Sequence, residues 1–112
     1  MDNMTDKFIS FWDAVIFYFW DNPFVVGIDP LNEPWPGNLV LYPDLQTPGY
    51  ADANSLQPVY AKIFARLMQH YSTHDGRLLN AQMWFEPVTN PNVNGFEGKI
   101  YNVGFTEPPG YA

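Results

Sequence analysis

Residues 24–35 read FVVGIDPLNEPW, and this stretch decides the fold that the sequence predicts. It begins as a short apolar, β-branched run, which is typical of a strand buried on both faces. It ends in a polar pair, Asn32 and Glu33, closed by Pro34. Such a strand carries an amide and a carboxylate to the edge of a sheet, where enzymes built on parallel sheets and barrels place their chemistry.

Glu33 is the candidate catalytic residue of this stretch. Pro34 fixes its own backbone and favours an extended conformation at Glu33. We therefore expect the direction of the Glu33 carboxylate to be set by a rigid backbone. Trp35 follows directly, and a flat aromatic ring beside an acid suits a sugar, which presents apolar C–H faces and hydroxyl edges. The alternative is an ordinary solvated loop glutamate, which is the commoner role of this residue type.

Three segments of the chain carry a resemblance to known enzymes. Asn32-Glu33-Pro34, at the end of a strand, resembles the acid/base strand of glycoside hydrolase family 5. The longer segments 27–38, 84–88 and 103–110 are similar to the endoglycoceramidase branch of that family. These segments occur in the same order as in that branch and extend over nearly the whole chain. The resemblance is therefore more specific than a lone Asn-Glu-Pro motif would be.

The resemblance implies an α/β fold, namely part of a (β/α)8 TIM barrel. A complete barrel needs about 250 residues, and this chain has 112. It would then extend from about the third helix to the loop after the fifth strand, and its partner would be the missing remainder of the barrel. Aromatic residues make up 18% of the chain, more than a small body easily buries, which fits faces that belong against absent segments.

Hydrophobic periodicity predicts a helix followed by one βαβ unit and a long irregular tail. The predicted elements are a helix over about 5–21, a strand over about 24–29, a loop over 34–54, a helix over about 55–72, a strand over about 78–86 and a tail over 87–112. Thr5 or Asp6 is expected to cap the first helix, with Ile9 off its apolar stripe, and Asn54 or Ser55 to cap the second.

Composition excludes several classes of function. The net charge is −7, with no basic cluster, so nucleic acid is not an expected partner. The chain has no cysteine and therefore no disulfide framework or thiolate metal site. His70 and His74 are four residues apart but lack the glutamate of a His-Glu-x-x-His motif, so neither a metal site nor a cofactor is predicted.

No signal peptide precedes the first predicted helix. The apolar run 14–20 is shorter than the about 20 residues that span a bilayer, so no transmembrane segment is predicted, although a substrate at a membrane surface is compatible with the sequence. If the true amino terminus lies upstream, this sequence does not determine the cellular compartment. A secreted or lysosome-like location is then compatible with the sequence.

The second predicted strand also ends in a Glu-Pro pair, Glu86 and Pro87. Adjacent parallel strands lie about 4.8 Å apart, so the carboxyl groups of Glu33 and Glu86 could approach the roughly 5–5.5 Å separation of retaining glycosidases. The residues alone leave that pair open as acid and nucleophile.

The resemblance implies a different assignment of roles. Glu33 is then the acid/base, and the nucleophilic glutamate comes from a seventh strand that has no counterpart here. Asn32 would hold the sugar 2-hydroxyl or the surroundings of the nucleophile, and Trp35 would bind the substrate. Glu86 would line the cleft or be merely structural.

The activity implied by the resemblance is retaining hydrolysis of the O-glycosyl bond between glycan and ceramide in glycosphingolipids. The substrate is then a carbohydrate or glycolipid, and the isolated chain is expected to be inactive because it lacks the nucleophile strand. Two alternatives remain: a glycosidase of the β-glucanase or cellulase type, whose clefts are also lined with Trp and Tyr, and a non-catalytic truncated remnant.

Overall fold

The computed structural model describes residues 3–19, 21–47, 49–73 and 82–88. The elements in chain order are α1 (Met4–Phe19), β1 (Gly27–Ile28), a 3₁₀ turn (Pro43–Gln46), a π-helical turn (Asp52–Leu56), α2 (Gln57–Thr73) and β2 (Gln82–Met83). The predicted strand residues 78–81, the segment 103–110 and the tail beyond residue 88 lie outside the described residues. No helix in the described ranges is both long and apolar enough to cross a membrane.

The two strands form a parallel pair, with Gly27 opposite Gln82 and Ile28 opposite Met83. Backbone hydrogen bonds run from Gln82 N–H to Val26 O at 3.0 Å and from Trp84 N–H to Ile28 O at 2.9 Å. Because the strands are parallel, both carboxyl ends lie at the same edge of the pair. This common edge is where the polar residues after each strand meet.

β1 is shorter than the predicted strand over 24–29, and the prediction that it is buried on both faces is wrong for the described residues. Phe24 is 89% exposed and Val26 is 63% exposed. β1 has a hydrogen-bonded neighbour on one edge only within the described ranges, because β2 is the sole other strand there. The other edge of β1 has no strand beside it within the described ranges.

Gly27 is the point of closest approach between the strands. A Cβ at this position would collide with the carbonyl oxygen of Gln82 and lie 2.6 Å from the ring of Trp84. Glycine is therefore required here because the neighbouring backbone and an indole ring occupy the space that any side chain would need.

The core forms where α1 and α2 pack together over one face of the strand pair. Ile9, Ile16, Ile63 and Leu67 are buried, and Ile28 and Met83 pack against them. The expectation that Ile9 lies off the apolar stripe is wrong, because α2 packs on the side of α1 that carries Ile9 and Ile16. Periodicity alone indicates an apolar stripe, but its contact line depends on the partner helix.

Both helix starts differ from the predicted caps. Asn3 caps α1, since its side-chain oxygen accepts a hydrogen bond from Thr5 N–H at 3.1 Å, so the assignment of the cap to Thr5 or Asp6 is wrong. The Asn54 side chain donates to Tyr50 O at 2.9 Å within the π-helical turn that leads into α2. Pro58 has no N–H to donate to the preceding turn, and a widened π turn is a common way to accommodate such an interruption.

Candidate active site

Three acidic residues meet where β1 and β2 end. Asp29 directly follows β1, Glu33 lies four residues further on, and Glu86 lies three residues after β2. The backbone N–H of Glu33 donates a hydrogen bond to Glu86 Oε2 at 2.7 Å. The carboxyl group of Asp29 lies near that of Glu86, and this neighbour raises the pKa of Asp29. Glu86 therefore joins the two strand ends.

Glu33 adopts a conformation that the sequence did not predict. Its φ is +47°, and it is the one non-glycine residue with a positive φ within the described ranges. The prediction that Pro34 holds Glu33 extended is therefore wrong. A residue in this region costs about 1–3 kcal/mol, and a hydrogen bond to a charged group contributes about 1.5–3 kcal/mol, so the bond to Glu86 is strong enough to offset the local preference.

Tyr60, on α2, fixes the backbone of Glu86. Its hydroxyl donates to Glu86 O at 3.1 Å and accepts from Glu86 N–H at 3.3 Å. The Tyr60 side chain is 0% exposed, and its ring lies 5.9 Å from that of Phe85. Burial raises the pKa of the Tyr60 hydroxyl, and nearby Asp29 and Glu86 act in the same direction, so the hydroxyl keeps the proton that it donates.

The pKa of Asp29 is raised above the ordinary aspartate value. Although Asp29 is exposed overall, partial burial of its carboxyl raises its pKa, and the negative charge of Glu86 and the hydrogen bond to it raise this pKa further. The backbone N–H of Leu31 opposes the shift by stabilising the anion. Asp29 therefore keeps its proton to a higher pH in the folded state than an ordinary aspartate does.

Asp52 anchors the chain on the far side of Pro87. It is buried, with 6% exposed, and its Oδ1 accepts a hydrogen bond from Val88 N–H at 2.7 Å. Tyr60 and Asp52 therefore hold the backbone immediately before and after Pro87. With both flanks fixed, the Glu86 side chain starts from a defined position at the edge of the strand pair.

Asn32 and Trp35 lie on either side of the Glu33-Pro34 joint and are both exposed. Trp35 is 53% exposed, and its indole N–H donates to Gly37 O at 3.1 Å, which holds the ring against its own loop. Pro34 itself is buried. The roles of Asn32, Trp35 and Glu86 in substrate binding, and of Glu33 as acid/base, stay predictions.

The loop after Trp35 is ordered by its own polar groups. The side-chain oxygen of Asn38 accepts from the N–H groups of Val40 and Leu41, both at 3.1 Å. The Gln46 side chain donates to Leu39 O at 3.3 Å. These bonds leave Val40, Leu41 and Tyr42 exposed at the tip of the loop.

His70 has a structural role. Its Nε2 lies 3.0 Å from Asp13 Oδ1, which links α2 to α1, and its ring lies 5.9 Å from that of Phe17. His74, the other histidine of the pair considered as a metal site, lies outside the described residues. Within the described ranges, no group of three His, Cys, Asp or Glu side chains is arranged to hold a metal ion.

An apolar groove of about 290 Å³ runs between α1 and β1 and reaches Asp29 at one end. Trp12 lines it, and the buried indole N–H of this residue has no hydrogen-bond partner in the described part of the chain. Buried donors in folded proteins are nearly always paired.

The sequence analysis missed Asp29, Tyr60 and Asp52. Asp29 lies at the end of the strand predicted over about 24–29, and Tyr60 lies within the helix predicted over about 55–72. The available signal for Tyr60 was chemical, because a buried tyrosine needs a partner for its hydroxyl. Asp52 had no local signal, since its partner lies 36 residues away in the chain.

Comparison with known proteins gives relatives for nearly the whole chain. The chain is 33% identical over 110 residues to an endoglycoceramidase from Hydra vulgaris. The aligned region covers 98% of this chain and 18% of the relative. It is 28% identical over 109 residues to an endoglycoceramidase from Cyanea nozakii. This aligned region covers 97% of this chain and 19% of the relative. The chain thus spans less than one fifth of the length of these curated relatives. No protein-family model matches the chain, and neither does any solved structure.

Proposed function

Because the chain is related to the endoglycoceramidases, we propose that it supplies the general acid/base of a glycosidase active site and that Glu33 is this residue. The observation that carries the proposal is the 2.7 Å hydrogen bond between Glu33 N–H and Glu86 Oε2. It places Glu33 at the common carboxyl edge of two parallel strands, where barrel enzymes hold their reacting groups.

The proposed reaction is a retaining double displacement. Glu33 donates a proton to the glycosidic oxygen as the leaving group departs, and then accepts a proton from the water that hydrolyses the glycosyl-enzyme intermediate. Asn32 binds the sugar 2-hydroxyl, and the exposed ring of Trp35 packs against a sugar face. The nucleophilic carboxylate comes from a part of the whole protein beyond this chain, so the isolated chain is expected to be inactive.

The proposed fold of the whole catalytic domain is a (β/α)8 barrel of the family 5 type. Two observations support it: α1 and α2 pack on the same face of a parallel strand pair, and the groove beside β1 contains an unpaired Trp12 N–H in the described part of the chain. Parallel strands are normally covered on both faces. Further strands of the barrel would pair with the exposed edge of β1 and cover Phe24 and Val26.

The proposed substrate is a glycosphingolipid cut between glycan and ceramide, as the names of the relatives suggest. A glycosidase of the β-glucanase or cellulase type is the second candidate, favoured by the exposed Trp35 and Trp84. Release of the glycan from a glycosphingolipid in detergent, compared with hydrolysis of a soluble β-glucan, separates the two candidates. Absence of turnover on both by the whole protein would support a non-catalytic remnant.

The test of Glu33 is the isosteric variant Glu33→Gln in the whole protein. Loss of the general acid should lower kcat/KM by about 10²–10⁴-fold on substrates with poor leaving groups. Asp44→Asn is the matched control, since it makes the same change of charge on the same loop, in the exposed 3₁₀ turn. A Glu33→Gln protein that keeps near-normal turnover would refute the assignment.

A further inference from the structure

Glu86 makes two contacts that bear on the geometry of Glu33. Its Oε2 accepts the Glu33 N–H at 2.7 Å, and its carboxyl group lies beside that of Asp29. Glu33, which donates the first of these bonds, also has a φ of +47°, which departs from ordinary backbone geometry. The positive φ and the hydrogen bond to Glu86 therefore occur at the same residue, Glu33.

We infer that Glu86 is a positioning residue for Glu33: the Asp29–Glu86 pair holds the Glu33 amide and thereby sets the direction from which the Glu33 side chain reaches the substrate. This inference rests on the proposed function, because it gives Glu86 a role only if Glu33 reacts. It makes Glu86 neither the nucleophile nor a substrate ligand. Its carboxylate is occupied by a backbone amide and a second carboxyl group, which leaves it poorly placed to attack an anomeric carbon.

The groups around Glu86 are arranged to keep it in this role. Asp29 faces it from the end of β1, Tyr60 from α2, and Glu33 across the strand edge, while Asp52 lies near Tyr60 in the π-helical turn before α2. Three of these four groups are acidic, so Glu86 has no described cation beside it. Its Oε2 is held instead by the hydrogen bond from the N–H of Glu33.

The effect on catalysis follows from the sensitivity of proton transfer to distance. A general acid must lie within hydrogen-bond reach of the oxygen it protonates, and a misplacement of about 1 Å can lower the rate about 10²-fold. Without the Glu86 bond, Glu33 is free to relax toward the extended geometry that Pro34 favours. This would turn its carboxylate away from the leaving group.

The experiment compares two substrates in the whole protein: a natural glycoside with a poor leaving group and an aryl glycoside whose leaving group departs without a proton. Glu86→Ala should lower kcat/KM by about 10–100-fold more on the natural glycoside than on the aryl glycoside. Glu86→Gln should restore most of this ratio, because its amide can accept from Glu33 N–H and donate to Asp29.

Asp52→Asn is the matched control for structural damage. Asp52 also accepts a backbone N–H at 2.7 Å beside Pro87, but it does not bind Glu33. Its substitution should lower activity on both substrates by the same factor. If Glu86→Ala does not fold, Asp29→Ala removes the exposed partner of Glu86 and should shift the ratio in the same direction by a smaller factor.

The outcomes separate this inference from the function on which it rests. A Glu86→Ala protein, or a folded Asp29→Ala protein, with the wild-type ratio between the two substrates would overturn the positioning role, even if Glu33→Gln behaves as a lost acid. Normal turnover by Glu33→Gln would instead refute the proposed function. Equal ratios in Glu86→Ala and Glu86→Gln would also overturn the inference, because only the former loses the amide contact.

Discussion

Replacement of Tyr60 by phenylalanine tests how the strand edge is held together. The substitution removes one hydroxyl and leaves the ring to pack against Phe85. It deletes two hydrogen bonds, to Glu86 O at 3.1 Å and from Glu86 N–H at 3.3 Å. Since Tyr60 is fully buried, water has poor access to replace the hydroxyl, and a buried unsatisfied backbone group costs about 1–3 kcal/mol.

The appropriate assay is native-state hydrogen exchange, because it reports on single amides in a protein of any length. The Glu86 amide loses its acceptor in Tyr60→Phe, and a cost of about 1–3 kcal/mol corresponds to exchange that is about 5–150-fold faster. Tyr42→Phe is the matched control, because it deletes the same hydroxyl from an exposed ring and should leave the Glu86 amide unchanged. Wild-type exchange at Glu86 in Tyr60→Phe would refute the role assigned to the hydroxyl.

Two further predictions concern Asp29 and Gly27. The raised pKa of Asp29 means that the folded state holds a proton which the unfolded state releases above the ordinary aspartate pKa of about 3.9. The stability that Asp29 contributes is therefore present below that pH and lost as pH rises through the folded-state pKa. Asp29→Asn removes this titrating group, so its thermal midpoint should fall less between pH 4 and 7 than that of the wild type. Equal slopes would contradict the raised pKa of Asp29. Gly27→Ala introduces a methyl group where Gln82 O and the Trp84 ring already lie. It should separate the strands and speed exchange of the Trp84 amide, and unchanged protection would show that the strands can move apart at little cost.

The site shows how residues far apart in the chain define one geometry. Glu33 and Glu86 are 53 residues apart, and Tyr60 is 26 residues from Glu86, yet all three are joined by hydrogen bonds. The parallel register explains why this is possible, because it brings the residues that follow each strand to the same edge. The two Glu-Pro pairs therefore mark neighbouring positions in space.

Much of the organisation of the site could be predicted from local pattern. Helical spacing of apolar residues indicated the two helices, because a helix buries one stripe of side chains whatever its partner is. The change from an apolar run to a Glu-Pro pair indicated that Glu33 and Glu86 each follow a strand. These features depend on neighbours within a few residues, which a sequence displays directly.

The tertiary structure alone decided the conformation of Glu33, the raised pKa of Asp29, the anchoring by Tyr60 and the burial of Ile9. Local preference favoured an extended Glu33, and a 2.7 Å bond to a carboxylate from a distant strand outweighed it. Such bonds form between groups that only the completed packing brings together, and their energies exceed the about 1 kcal/mol differences that set local backbone preferences. The sequence by itself determined which chemical groups reach the strand edge, and the packing of α2 against β1 and β2 determined how they are held there.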